Sequence, residues 1–267
     1  MPAIVETATR ESAGAALLQR HDRDRYLLSL FVPVARRGVV QTLYAFNSEI
    51  ARIREQVTNP VLGQMRLEWW REGVDAAYSD RPVPRHEVLT PLAESIRRFG
   101  FTRGHLEQLI RAREEDLAPE PPATLEALEA YAERSSAPLQ LLVLEALGAA
   151  GPTAGTAATE AAMAYAMAGL LRAAPFLARS PRHAVPPSLV EETGRVGERA
   201  EAHLEAARAL RGDVPPEAFP SLLPAVLAAA DLARLRRAGF DPSAPALARP
   251  DPWRAWRLAA ASWLRRY

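Results

Sequence analysis

The stretch that decides the fold class runs Phe31-Val32-Pro33-Val34-Ala35-Arg36-Arg37-Gly38-Val39-Val40, then Gln41-Thr42-Leu43-Tyr44-Ala45-Phe46-Asn47-Ser48-Glu49-Ile50, then Ala51-Arg52-Ile53-Arg54-Glu55-Gln56-Val57. Past Pro33, the residues Val40, Leu43, Tyr44, Phe46, Ile50 and Ile53 recur at the spacing of one helical face. Proline lacks the N–H that a helix interior requires, so the spacing predicts a helix over 39–57 with a break before it. The Arg36–Arg37 pair stands at the helix entrance. Two adjacent guanidinium groups there can grip a phosphate through charge-assisted hydrogen bonds, or simply stand in solvent.

The same pattern extends both ways. Upstream it begins with Leu17, Leu18, Tyr26, Leu27, Leu30 and Phe31; downstream Met65, Leu67, Trp69, Trp70 and Val74 carry it over 61–78. Further helices are predicted near 86–100, 102–117, 124–134, 137–149, 155–174, 188–211, 217–239 and 252–266. No segment sustains the period-two alternation of a strand. Breaks fall at proline clusters: Pro119, Pro121 and Pro122; Pro181, Pro186 and Pro187; Pro215, Pro216 and Pro220; Pro242, Pro245, Pro250 and Pro252. They are short and evenly spread, without a long linker or a fixed-period repeat, which predicts one all-α domain over 1–267 with a loose start at 1–12.

Composition narrows the chemistry. There are 267 residues, enough to bury a core without disulfides or a structural metal. The 33 basic residues, all arginine, nearly balance 32 acidic ones, so no net field favours nucleic acid. Cysteine is absent, which excludes thiol catalysis and cysteine-based metal sites. His21, His86, His105, His183 and His203 show no i, i+4 pairing, so a histidine metal site is not expected. The Ala157–Leu171 run contains Glu160 and ends at Arg172; alanine favours helix but is weakly apolar, so a buried helix is predicted rather than a membrane span. The N-terminus lacks a signal pattern, and Glu6 and Glu11 argue against a transit peptide, which fits a bacterial cytosolic protein.

Two further clusters bear on function. Trp69 and Trp70 point about 100° apart on a helix, so one can enter the core while the other lies at its edge. Glu114-Glu115-Asp116 ends a predicted helix, but a magnesium site needs carboxylates converging from two elements.

Taken in order, F-x-P-x-x-R-R at Phe31–Arg37, Y-A-F at Tyr44–Phe46, W-W-R at Trp69–Arg71, R-F-G at Arg98–Gly100 and Asp116–Leu117 resemble the squalene/phytoene synthase family. The likeness continues through T-L-E-x-L-E-x-Y at Thr124–Tyr131 and Gly169–Arg172 to Pro186 and Gly194, covering roughly residues 25–195. The resemblance implies an all-α isoprenoid-synthase bundle around a central cavity. It also implies joining of two prenyl diphosphates with magnesium held by two aspartate motifs, because the leaving diphosphate charge must be neutralised. At the first motif Ala51 stands in the leading aspartate position, Arg52 follows it, and only Glu55 keeps a carboxylate. At the second, N-x-x-R-D-x-x-x-D is replaced by Gly169-Leu170-Leu171-Arg172-Ala173-Ala174-Pro175-Phe176-Leu177. Arginine survives and both aspartates are gone.

These departures resemble the family's non-catalytic branch, which includes the mitochondrial assembly factor for respiratory complex I. The resemblance implies a protein partner, a complex I subunit or assembly intermediate, with an isoprenoid lipid as a further cavity occupant. It leaves Arg36, Arg37, Tyr44, Glu55 and Arg172 as cavity or phosphate-binding remnants. No catalytic residue, metal or cofactor is expected; magnesium enters only under the alternatives, a prenyl transferase with a degenerate metal site. An isoprenoid- or quinone-binding protein is the other alternative.

On a helical wheel Trp253, Trp256, Ala260, Trp263, Leu264 and Tyr267 share one stripe, with Arg254, Arg257, Arg265 and Arg266 towards other sides. Such a helix suits a membrane interface or the protein's own body equally. Trp253, Trp256, Trp263 and Arg257 are therefore expected to contact membrane or partner, placing the protein in the bacterial cytoplasm, peripheral to the inner membrane.

Overall fold

Side-chain acceptors start several of the helices in this computed structural model, which describes residues 12–79, 81–118, 120–179, 186–247 and 249–267. Pro119, Pro181 and His183 lie outside the described residues. Ser12 accepts from Ala15 N to open α1 (Ala13–His21), and Asp22 accepts from Arg25 N to open α2 (Arg23–Leu30). Helix α3 (Val34–Gln56) begins directly behind Pro33, five residues earlier than the apolar pattern predicts. Asn59 caps α4 (Pro60–Ala77), with Pro60 in the first turn where its missing N–H costs nothing. Then come α5 (Leu89–Phe99), α6 (Arg103–Glu115) and α7 (Leu125–Leu147), the last opened by the Thr124 hydroxyl and closed by Gly148 in the left-handed region, φ 72°. The remainder is α8 (Pro152–Leu177), α9 (Ser188–Glu191), α10 (Thr193–Ala209), α11 (Phe219–Leu222), α12 (Pro224–Arg237) and α13 (Arg254–Leu264). No strand occurs among the described residues.

The prediction of two helices over 124–134 and 137–149 is corrected: α7 is continuous through Pro138. A proline disturbs the carbonyls one turn before it. Here the Arg113 guanidinium donates to Ser135 O, three residues before Pro138, at 3.3 Å. Conversely, the single helix predicted over 188–211 divides at Glu192, and that over 217–239 bends between α11, with Pro220 in its first turn, and α12, which Pro224 begins.

Two adjoining apolar clusters hold the helices together. The first surrounds α3, whose Leu43, Tyr44, Phe46 and Ile50 meet Leu67 and Trp70 of α4, Leu92 of α5 and Leu109 of α6. Trp70 is buried and Trp69 half-buried; both set an edge against His86, at 5.1 and 5.3 Å. The second surrounds α8, where Ala157, Ala158, Ala161, Ala164 and Ala168 are fully buried against α7, α10 and α12. Such small side chains let neighbouring helices approach closely, which is how an alanine-rich segment becomes a core helix. Leu147, Tyr165, Phe219 and Val226 pack against both clusters and join them.

Candidate functional site

The C-terminal ends of α3, α6 and α8 and the first half of α7 enclose a cavity of about 960 Å³. Arg54 and Val57 come from α3, Tyr131 from α7, and Leu170 and Leu177 from α8. The segments 39–57 and 157–174 thus contribute to one cavity. Of its four acidic residues Glu120 is exposed at the surface, and the other three are engaged. Glu114 pairs with Arg71, and Glu115 accepts from Arg134 Nε and Nη2 at 3.0 and 2.8 Å. Asp116 accepts from the Tyr131 hydroxyl at 2.6 Å and from Arg113 at 3.2 Å. Burial pushes the Tyr131 phenol up; the same burial depresses Arg113, but the adjacent Tyr131 and Asp116 outweigh it and hold the guanidinium charged. Arg54 also lines the cavity, with its Nε buried and without a hydrogen-bond partner among the described residues.

These residues do not fit the pair of magnesium clusters that the resemblance implies. Arg52 pairs with Glu49 at 3.6 Å, and Glu55 is exposed to solvent and does not line the cavity. Opposite, α8 offers Leu170 and Leu177. Among the described residues no group of three or more His, Asp or Glu side chains could hold a metal ion. Metal binding at this cavity would require two facing carboxylate pairs; Glu114, Glu115 and Asp116 are taken up by arginines and Tyr131, and Glu120 is a single exposed carboxylate.

Arg172 has a different setting. It donates to Asp231 at 3.0 Å and to Asp24 at 3.3 Å, in a cluster completed by Arg254 of α13 and Tyr165 of α8. Arg254 reaches both oxygens of Asp231 at 2.7 and 3.0 Å, and Asp24 at 2.8 Å. The Tyr165 hydroxyl donates to Asp24 at 3.3 Å. Two carboxylates and two guanidinium groups therefore neutralise one another and tie α2, α8, α12 and α13 together. Burial depresses the Arg254 pKa, but its hydrogen bonds and the charges of Asp231 and Asp24 outweigh that and raise it. Arg254, which the helical wheel sets away from the tryptophan stripe, faces the body of the protein: its side chain is 11% exposed. Sequence reading also missed Asp24 and Asp231. Asp231 sits among the buried Ala228, Leu232 and Leu235 of α12, and an acid on an apolar face signals a buried partner.

The other predicted residues are placed apart from the cavity. Arg36 stacks on the Phe99 ring at 5.1 Å, and Arg37 donates to Leu30 O at 3.0 Å, closing the end of α2. Both stand at the far end of α3 from Arg54, roughly 27 Å along the helix at about 1.5 Å per residue. Tyr44 is buried in the first cluster, and that burial pushes its phenol up to about 12.

Helix α13 docks on the body through the fully buried Leu258 and through Arg254. Trp253, Trp256 and Trp263 are 60%, 70% and 85% exposed. Tyr267 does not belong to this stripe. Arg265 takes a left-handed conformation (φ 49°) that ends the helix, and Tyr267 turns inward, donating to Ala207 O at 3.3 Å. No single helix among the described residues is long and apolar enough to cross a membrane.

The chain matches the sequence profile of the squalene/phytoene synthase family over residues 18–194 and 182–257. It is 31% identical to the Bos taurus protein named NADH dehydrogenase (ubiquinone) complex I, assembly factor 6, across 94% of this chain and 81% of that one. The Homo sapiens protein of the same name is 28% identical over the same shares. Among solved structures, squalene synthase HpnC from Alicyclobacillus acidocaldarius superposes with a TM-score of 0.74 at 21% identity, covering 86% of this chain and 94% of that chain. A dehydrosqualene synthase in complex with ligand also gives 0.74, at 14% identity, over 95% and 96%. An all-α bundle of the isoprenoid-synthase kind, matched along most of its length by one family profile, places the chain in the squalene/phytoene synthase family.

Proposed function

We propose that this protein is a non-catalytic member of its family that acts in assembly of respiratory complex I. The observation that carries this reading is the 31% identity over 94% of the chain to a protein named for that role. Ala51, Ala173 and Leu177 support it, since they remove the acids that prenyl transfer requires. The partner is a complex I subunit or assembly intermediate, engaged at the inner face of the membrane in the bacterial cytoplasm. The exposed Trp253, Trp256 and Trp263 enter the interface while Arg257 faces anionic headgroups. Affinity purification from the native membrane fraction tests this. Complex I subunits should co-purify, and their absence under conditions that preserve membrane association counts against the role.

A second reading has one specific support. The 960 Å³ cavity, walled by Val57, Leu117, Leu128, Leu170 and Leu177 around the unpaired Arg54 Nε, has room for an isoprenoid or quinone. Mass spectrometry of lipid carried through purification decides it: a stoichiometric prenyl species favours a carrier, and empty protein counts against one.

A further inference from the structure

A second hollow lies where α13 docks on the body, and it shares no lining residue with the family cavity. It measures about 300 Å³ and is bounded by α10, α12, α13 and the residues after α13. Arg208, Arg237, Arg257 and Arg266 line it over a floor of Ala229 and Ala233. Among the described residues no Asp or Glu lines it. The nearest compensation is partial: Arg257 Nε stands 3.4 Å from Asp251, and Arg208 and Arg211 donate to the main-chain oxygen of Tyr267 at 3.1 and 3.3 Å. Arg237 donates to Ala233 O at 3.0 Å, and Glu205 acts on Arg208 only through its charge. Burial, followed by the Arg211 charge, pulls Arg208 below its ordinary range.

We propose that this four-arginine hollow binds the phosphate of an anionic phospholipid headgroup. The chemistry follows from geometry. Guanidinium groups converging from four segments offer forked donors to phosphate oxygens. The alanine floor keeps the hollow open. Arg257 stands one helical turn after the 60% exposed Trp253, its N–H donating to Trp253 O at 2.8 Å, so the two share a face and a lipid whose phosphate enters the hollow has its acyl chains beside that tryptophan. A free phosphate would satisfy the arginines but would give the adjacent 60–85% exposed tryptophans no apolar partner. The assignment rests on the peripheral-membrane reading above and adds the lipid class.

The test uses the whole chain and co-sedimentation with vesicles of phosphatidylcholine, alone or mixed with phosphatidylglycerol. The double variant R237Q/R266Q removes two exposed arginines of the hollow; R85Q/R97Q removes two exposed arginines elsewhere and changes net charge equally. At about 1 kcal/mol per arginine near an anionic surface, R237Q/R266Q should bind phosphatidylglycerol vesicles roughly 30-fold more weakly. R85Q/R97Q should stay near wild type. Equal losses in the two variants overturn the headgroup site and leave the tryptophan contact standing. If the hollow binds glycerol 3-phosphate in solution, lost in R237Q/R266Q, while that variant binds phosphatidylglycerol vesicles as wild type does, the hollow is a free-phosphate site and the lipid assignment is overturned. Wild-type protein that binds neither vesicle overturns the membrane reading itself.

Discussion

Replacing Asp231 with alanine should loosen the C-terminal helix before it unfolds anything else. Asp231 is 4% exposed and accepts three hydrogen bonds from Arg172 and Arg254, at 2.7 to 3.0 Å. Its loss leaves two guanidinium groups facing Asp24 alone. Breaking a buried pair from one side costs roughly 3–5 kcal/mol; the cost falls on Arg254, whose side chain is 11% exposed, while Arg172 at 40% can turn to solvent. For a chain of this size each kcal/mol lowers Tm by roughly 2–4 °C, so a fall of about 10 °C is expected. Arg254 is the polar tether of α13, so amide exchange over Ala255–Leu264 should accelerate more than exchange in α3. The further change Arg254→Met should restore much of the lost stability, since it removes the orphaned cation and keeps apolar volume. An Asp231→Ala protein with unchanged Tm and unchanged exchange in α13 would refute the lock.

Four other outcomes follow from particular contacts. His203 lies between Glu160 at 2.6 Å and Glu129 at 2.9 Å; burial lowers its pKa, but the two carboxylates outweigh that and raise it above 6.5. The folded state thus holds the proton more tightly, so this stabilisation is complete below 6.5 and is lost as pH rises through the raised value; the stability gap between wild type and His203→Gln should shrink in alkaline denaturation series. Ala161→Leu forces extra volume into the closest helix contacts and should cost about 1–3 kcal/mol or more by urea unfolding. Trp256→Ala with Trp263→Ala should change stability by no more than about 0.5 kcal/mol each, since both are exposed, yet release the protein from membranes more than added salt does. Purified protein given farnesyl or geranylgeranyl diphosphate with magnesium should show no turnover; magnesium-dependent product lost in Glu55→Ala would contradict the reading of Ala51, Ala173 and Leu177.

The helical fold was legible because α3 and α4 carry their apolar residues on one face, and that period survives any tertiary context. Continuity of α7 was not, since the rule against internal proline assumes that nothing covers the disturbed carbonyls, and Arg113, which donates to Ser135 O, is 22 positions away in the chain. The missing metal acids were readable as letters. What Arg172 does instead was not, because its partners Asp24 and Asp231 lie 148 and 59 positions away in the chain. The helical wheel placed Trp253, Trp256 and Trp263 on one stripe, and all three are exposed. It misplaced Tyr267 because a wheel continues the helix through Arg265, where the backbone turns left-handed.

The central claim is that an isoprenoid-synthase bundle serves complex I assembly without prenyl chemistry. Its most direct test is the amount of assembled complex I in membranes of a deletion strain complemented with either wild type or Glu55→Ala. Complex I should fall in the deletion and return equally with both forms, while squalene and carotenoids stay unchanged throughout. Normal complex I accompanied by loss of prenoid products would contradict the claim.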